Sequence, residues 1–528
     1  MCGIIAVVRR RSTREVPQAS ELTALLDSAL AALDADTPDL RAAAEAVEGA
    51  DALLRGVPGV RALIADPQLE ATVDARAAAI DEAISNFERS ADAGELELST
   101  QELEDFNSAL IRVKDATWAL RRDRLRTARA VGDLAGEGAG AAAIEAFTSV
   151  QVALSGIDRL EVRGRDSAGL HLLVTSHGLD LDAPDVAEEL ARRSADPLFT
   201  SLAVRTPGGA LSFVYKAAAE IGELGDNTRV LRDAIRSDRL LHRALKADTA
   251  EVAVLGHTRW ASVGVISEAN AHPLNSEEID GRAQPYCVAA LNGDVDNYAE
   301  LRDEAGLRIH ADVTTDAKVI PTLLSRRLDG DQPLGDAFRE TVRRFEGSVA
   351  IAAAAADEPG QLLLALRGSG QALYVGLAED MFVVASEPYG VVEETTRYLR
   401  MDGEVPGPSG ESGQVIVLDA SDAGAISGIA RLTYDGTEDP VVEDDLATAG
   451  ITTRDIDRGD FPHFLLKEIS ESPQSMRKTL RGHLEQREGK LRVRLGDDSI
   501  PPDVRKKLAS GGFRRVIAIG QGTAAIAA

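Results

Sequence analysis

The sequence predicts an α+β protein built as a four-layer αββα sandwich, two largely antiparallel sheets packed face to face between helical layers. Three observations carry this. Short apolar runs bounded by glycine and proline recur along the chain, from Cys2–Val8 through 170–174, 251–255, 287–291, 348–354, 362–366, 373–375 and 382–385 to 415–418. Most are apolar at every position, the pattern of strands buried on both faces. Helical stretches such as 317–328 are interleaved with them, and helices covering the outer faces of two stacked sheets would bury such strands.

The elements follow in order. Residues 1–11 open with a strand, CGIIAVV, and residues 142–420 supply the remaining strands of the same domain. Between them, residues 12–141 change texture to Ala, Leu, Glu, Asp and Arg with helical periodicity. Leu22, Leu25, Leu26, Ala29, Leu30 and Leu33 share one face. Ser99-Thr100-Gln101-Glu102 reads as a capping box opening a long helix with the stripe Leu103, Phe106, Leu110, Val113 and Leu120. This block is expected to be a separate helical subdomain, ended by a hinge at Gly136–Gly140. Residues 421–490 read as a linker, acidic and strand-poor to about residue 460, with a helix over 461–484. Residues 491–528 end in RRVIAIG followed by Gly-Gln-Gly-Thr, the way a parallel α/β domain opens. They are expected to be the start of a further domain that continues past this sequence.

At 528 residues the chain is expected to form two to four structural units. Its 44% hydrophobic and 27% charged content fits a globular protein. The net charge of -28 disfavours nucleic acid and anionic membrane as partners. No apolar run approaches the ~20 residues of a membrane span, and the N-terminus lacks the order of a secretory signal. Two cysteines, Cys2 and Cys287, make neither a disulfide framework nor a cysteine zinc site, so the reading is a reducing cytoplasm with no metal and no cofactor.

Chemistry concentrates at strand ends and loops. Cys2 stands beside the initiator methionine, and removal of Met1 would leave a thiol and a free α-amine on one residue. An amine with a pKa of roughly 8 can act as base for the thiol beside it. Gly256-His257-Thr258-Arg259-Trp260-Ala261-Ser262, then Asn270-Ala271-His272-Pro273, Leu291-Asn292-Gly293-Asp294 and Thr315-Asp316 are further polar clusters at such positions. Each has a bland alternative: Arg259 as a surface ion pair, Asp316 as a helix N-terminal charge, Asn292-Gly293 as a hairpin turn, Trp260 as core.

Together with Cys2-Gly3 and Arg163-Gly164-Arg165-Asp166-Ser167-Ala168-Gly169, these strings resemble the class II glutamine amidotransferases, enzymes of the N-terminal-nucleophile hydrolase fold. HTRWA with NAHP, the segment 297–302, RGSGQALYVGL, VVASEP, HFLLKEI at 463–469 and QGTA at 521–524 are most similar to the glutamine–fructose-6-phosphate aminotransferases, or glucosamine-6-phosphate synthases. The resemblance covers residues 1–9, about 142–174 and about 251–528, and implies that residues 491–528 begin a sugar-isomerase domain. It implies that Cys2 attacks the carboxamide of L-glutamine to form a thioester. Asn292 and Gly293 hold the oxyanion, Arg259 pairs with the substrate carboxylate and Asp316 accepts its ammonium. It further implies that Trp260 and Ser262 line the pocket and that Arg163 and Asp166 brace it through an internal ion pair, with His272 as a structural hydrogen-bonder. In the full-length protein the acceptor would be fructose 6-phosphate, and a homo-oligomer is expected. Val263, Leu291, Lys318 and Ala524 depart from the family pattern. Lys318 is expected to weaken ammonium binding and Ala524 to weaken phosphate binding. Two other readings remain open: a class II amidotransferase with another acceptor, and a scaffold on a decayed glutaminase fold.

Overall fold

A computed structural model describes residues 2–520 apart from 36, 93–99, 219–222, 280–284, 329, 331, 460, 481–483, 488–489 and 494–499, together with residue 526. The chain divides into two compact units, one of residues 1–84 and 110–456, the other of 85–109 and 457–528.

The strands of the first unit are β1 (Gly3–Arg9), β2 (Ser167–Thr175), β3 (Val204–Arg205), β4 (Leu211–Ala218), β5 (Glu251–Arg259), β6 (Leu274–Asn275), β7 (Cys287–Gly293), β8 (Val349–Ala355), β9 (Gln361–Arg367), β10 (Tyr374–Leu377), β11 (Met381–Ala385), β12 (Arg397–Arg400), β13 (Gln414–Asp419), β14 (Ile429–Thr433) and β15 (Leu446–Thr448). They form one sheet in the order β15-β12-β10-β11-β1-β5-β2-β4-β3 and a second in the order β14-β13-β9-β8-β7-β6. Neighbours along the central strands run antiparallel. The fold is an α+β, four-layer αββα sandwich.

Alternation of side chains explains the unbroken apolar runs. On β1, Ile5 and Val7 join the core under the outer helices, whereas Ile4, Ala6 and Val8 join the core between the two sheets. On β7, Cys287, Ala289 and Leu291 pack under the helices of the second sheet, among them Val319–Leu328 and Leu334–Val342, while Val288 and Ala290 face the inter-sheet core. A strand in an inner sheet of four layers has no solvent face, so neither phase is polar.

The helical block is α1 (Ala19–Leu33), α2 (Leu40–Leu54), α3 (Gly56–Ala65), α4 (Pro67–Asp92), α5 (Thr100–Trp118), a π-helix over Ala119–Leu125 and α6 (Arg126–Ala135), followed by α7 (Ala141–Leu160). Leu22, Leu26, Ala29 and Leu33 are buried on α1, and Leu110, Val113 and Leu120 farther along. The capping box falls partly outside the described residues.

Three expectations about domains are corrected. The block 12–141 is not a separate subdomain: Val60 of α3 and Val131 and Leu134 of α6 share one core with α7 and β1. Their apolar faces need a surface, and α7 provides it. Buried Arg124, on the π-helix, also pairs with Asp51 and donates to the backbone carbonyl of Glu393. Second, the segment after residue 420 is not a linker until residue 456. β14 pairs with β13 and β15 with β12, extending both sheets. Strands as short as IARLT and LAT carry little local signal and are placed at the edges by pairing. Third, in the second unit the helix runs Phe464–Leu480, and Leu484–Arg487 pairs with Lys490–Val493 as a hairpin in place of the expected continuation to 484. Arg514–Gly520 forms no strand among the described residues. Val516, Ile517 and Ile519 are exposed there, since an apolar run without a ladder partner has nothing to bond. The Gly-Gln-Gly-Thr turn, with Ala524, lies outside the described residues apart from Gly520.

Candidate functional site

Register builds the site. Gly3 pairs with Thr258 and Ile4 with His257, so Cys2 lies one step beyond, at the end of β5 where Arg259 ends the strand. By the two-residue period Cys2, His257 and Arg259 share the phase of Ile4, which faces the second sheet. Asn292 shares the inward phase of Val288 and Ala290 on β7. Gly3 faces α7, and a Cβ there would lie 2.8 Å from the Leu160 side chain. Glycine therefore sets how closely β1 packs on α7.

The Cys2 Sγ accepts a hydrogen bond from the Trp260 N–H at 3.3 Å, and its thiol lies 3.4 Å from the Trp260 carbonyl. Burial pushes the thiol pKa up, against the pull of the Trp260 hydrogen bond and the Arg259 charge. The sulfur is thus held in place but protonated, and needs a base. Cys287, 0% exposed, is pushed up by burial in the opposite core.

Arg259 is buried, and its guanidinium donates to the carbonyls of Val263 and, at 3.2 Å, Val265. Burial lowers its pKa, while Cys2, Asp316 and Asp166 pull the other way. Among the described residues it makes no ion pair, so a buried cation is held rigid by backbone carbonyls with no carboxylate in direct contact. Asp316 is buried too; it accepts from the Val295 N–H at 2.8 Å, and burial raises its pKa. A fixed cation and a fixed anion suit the two ends of an amino-acid zwitterion.

Asn292 is 1% exposed. Its Oδ1 lies 3.1 Å from His257 Nε2, which also lies 2.9 Å from the Leu291 carbonyl, and its Nδ2 donates to Ser386 Oγ at 2.7 Å. Gly293 has φ +87, and a Cβ there would sit 1.9 Å from the Ser348 carbonyl. Only glycine fits, so the backbone N–H after Asn292 has a fixed orientation.

The remaining candidates are placed as follows. Trp260 is 59% exposed, so its backbone and not its ring contacts Cys2. Ser262 Oγ donates to Asp294 at 2.6 Å. Arg163 pairs with Glu387 and not with Asp166, correcting the expected internal pair. Asp166 instead accepts from the Ala261 N–H at 2.9 Å, fixing the loop after Arg259. The two belong to opposite ends of one turn, and long-range partners capture each. His272 lies buried, its ring 4.5 Å from that of His257 and its Nε2 3.3 Å from Thr315 Oγ1. Burial holds both imidazoles neutral, with His257 lowered to about 3. Gly169 admits this loop: a Cβ would lie 2.3 Å from the His272 carbonyl. Lys318 is held by Asn275, at the end of β6. Its Nζ is buried and donates to the carbonyl and Oδ1 of Asn275, at 2.6 and 3.1 Å. Leu291 turns its side chain to the outer core and uses only its backbone toward the site.

Two residues that lie inside the quoted strings carry no role in the sequence reading. Asp294 raises the pKa values of both Cys2 and Asp316 by its charge; an acid directly after Asn-Gly was the available signal. Ser386, the first hydroxyl after the apolar run of β11, was another. Among the described residues no group of three or more His, Cys, Asp or Glu is placed to hold a metal. None of their helices is long and apolar enough to cross a membrane.

A family model described as a glutamine amidotransferase domain matches residues 257–392. The chain is similar to glutamine–fructose-6-phosphate aminotransferases (isomerizing). Against that of Bacillus thuringiensis subsp. konkukian it is 25% identical over 371 residues, covering 70% of this chain and 48% of the relative. Against that of Chlorobaculum tepidum it is 32% identical over 249 residues, covering 46% and 35%. The chain thus spans about half the length of the curated relatives it matches, or less. Among solved structures, a Bacillus subtilis glutamine phosphoribosylpyrophosphate amidotransferase complexed with ADP and GMP aligns with TM-score 0.34 at 19% identity, covering 54% of this chain and 47% of that one. The matched segment runs from the His257 strand end through Asn292, Asp316 and Ser386, so residues 257–392 carry the likeness to a glutamine amidotransferase domain.

Proposed function

We propose that this chain is the glutamine-hydrolysing part of a glutamine–fructose-6-phosphate aminotransferase. One observation carries the reading: an inward cysteine sulfur held on a backbone N–H, with a rigid unpaired cation, a buried anion and an Asn-Gly donor pair built around it. Among the described residues buried Arg259 has no carboxylate in ion-pair contact, which leaves its charge for a substrate carboxylate.

Removal of Met1 frees the Cys2 amine. Through a water, that amine takes the Sγ proton which burial otherwise retains. The thiolate attacks the carboxamide carbon of glutamine, whose carboxylate pairs with Arg259 and whose ammonium is accepted by Asp316. The Asn292 side-chain N–H and the Gly293 N–H receive the oxyanion; one such donor is worth roughly 3 kcal/mol. The C–N bond breaks, ammonia leaves with the proton, and a thioester remains. Water, deprotonated by the same amine, then releases glutamate and restores the thiol. Transfer of the ammonia to fructose 6-phosphate, giving glucosamine 6-phosphate, is supported by the ordered motifs and by the names of the curated relatives. A cytoplasmic homo-oligomer is part of the same proposal.

The test is covalent. The protein is incubated with a glutamine-like diazoketone and digested for mass spectrometry, and ammonia release is measured beside it. An adduct on Cys2 and none on Cys287, with ammonia release lost in Cys2→Ser, is expected. Ammonia release that survives Cys2→Ser, or processed protein that takes no label, would sink the proposal.

A further inference from the structure

The Ser386 hydroxyl oxygen sits where three elements meet. It accepts the Ile4 N–H at 2.8 Å and the Asn292 Nδ2–H at 2.7 Å, while the Ser386 N–H donates to the Ile4 carbonyl at 3.0 Å. Ile4 is on β1, two residues from the nucleophile. Asn292 is on β7, in the other sheet. One oxygen therefore bridges the sheets beside the reacting atoms, and all three residues are at most 1% exposed. No bulk solvent competes for these bonds.

The partner on the far side of Asn292 fixes which way the amide lies. His257 Nε2 has two neighbours, the Leu291 carbonyl and Asn292 Oδ1, both acceptors in this orientation. The nitrogen must carry the proton, and the other ring nitrogen, Nδ1, has no hydrogen-bond partner. Rotating the amide by half a turn would set its NH2 against an N–H donor. His257 thus selects the orientation, and Ser386 anchors the end that it leaves free. One Nδ2 proton is held by Ser386, so the plane of the amide and the direction of the second proton are set before substrate arrives.

We infer that Ser386 is a positioning residue of the glutaminase site, fixing the Asn292 amide as a preformed oxyanion donor and tying it to the strand that carries Cys2. This rests on the proposed glutamine hydrolysis. Ser386 makes no hydrogen bond to Arg259 or Asp316 among the described residues, so its role concerns the reaction step and not glutamine binding.

Steady-state glutamate release by the full chain tests it with Ser386→Ala, Asn292→Ala and the double variant. Loss of preformed geometry at one donor is expected to lower kcat about tenfold to a hundredfold in Ser386→Ala, with KM for glutamine within about twofold. In the Asn292→Ala background the serine replacement is expected to cost almost nothing more, because the group it orients is gone. Ser386→Thr, which keeps the hydroxyl, is expected to recover most of kcat. Independent, multiplying losses in the double variant, or a rise in KM with kcat unchanged, would overturn the inference. If Ser386→Ala does not fold, Ser386→Cys replaces it with the same criteria, since it keeps the volume and weakens the acceptor. A wild-type chain without glutaminase activity fails the underlying proposal; an active wild type with unaffected Ser386 variants fails this one alone.

Discussion

Replacing Gly293 with alanine separates transition-state stabilisation from substrate binding. Gly293 has φ +87, where an alanine is strained by roughly 1–2 kcal/mol. Its new Cβ would lie 1.9 Å from the Ser348 carbonyl oxygen, a backbone atom of the segment entering β8. Contacts under 3.0 Å are not tolerated, so the end of β7 must open from β8 by more than an ångström. The Gly293–Val349 pair and the bond from the Asp294 N–H to that same carbonyl are the first to give. The N–H proposed to receive the oxyanion moves with them. A displacement of about 1 Å costs on the order of a hundredfold in rate, and full loss of a donor costs about a hundred- to a thousandfold. The expected result is therefore kcat for glutamate release lowered at least about a hundredfold. Arg259 is held by the 263–265 carbonyls and not by β7, so KM should move much less than kcat. Thermal unfolding measured alongside should fall modestly, while Cys2 labelling by the diazoketone persists at a reduced rate. A Gly293→Ala protein with kcat within threefold of wild type would refute both the donor assignment and the steric argument beneath it.

Two further outcomes follow from other parts of the structure. Arg259→Lys keeps the charge but loses the planar fork and the fixed bonds to the 263–265 loop, so KM for glutamine should rise roughly ten- to a hundredfold; an unchanged KM in the same assay excludes the carboxylate role. Asp123, on the π-helix, is pushed up to about 7 by burial, with the Glu393 charge adding to it. A carboxyl raised in the folded state loses stability as pH climbs from its unfolded value through its folded one, so its ionised form is a burden above pH 7. Asp123→Asn should raise the unfolding midpoint at pH 8, and the gain should shrink toward pH 4; a gain independent of pH would remove Asp123 as its source.

Much of this protein was legible in its residues because the informative features are local. Continuous apolar runs such as 3–8 and 287–291 signal strands without a solvent face, and they emerge as the inner strands of a four-layer sandwich. Polar groups at strand ends, Arg259 and Asn292-Gly293, announce a site because nothing in a core accounts for them. The Gly293 requirement lies in its own backbone angle.

What the sequence could not decide was which distant element would meet each of these. The block 12–141 has amphipathic faces, but only the folded chain shows that α3 and α6 find α7 and that Arg124 reaches the 393 carbonyl. Edge strands 429–433 and 446–448 are too short to declare themselves, and pairing with β13 and β12 places them. The sequence pairs Arg163 with its near neighbour Asp166, but it binds Glu387, and Lys318 donates to Asn275. In each case the energy of a buried charge depends on the partner that burial supplies, and that partner lies tens to hundreds of residues away. Sequence determined the strands, the glycines and the chemical groups; tertiary structure decided their partners, because desolvation makes every buried polar atom answer to whatever stands next to it in space.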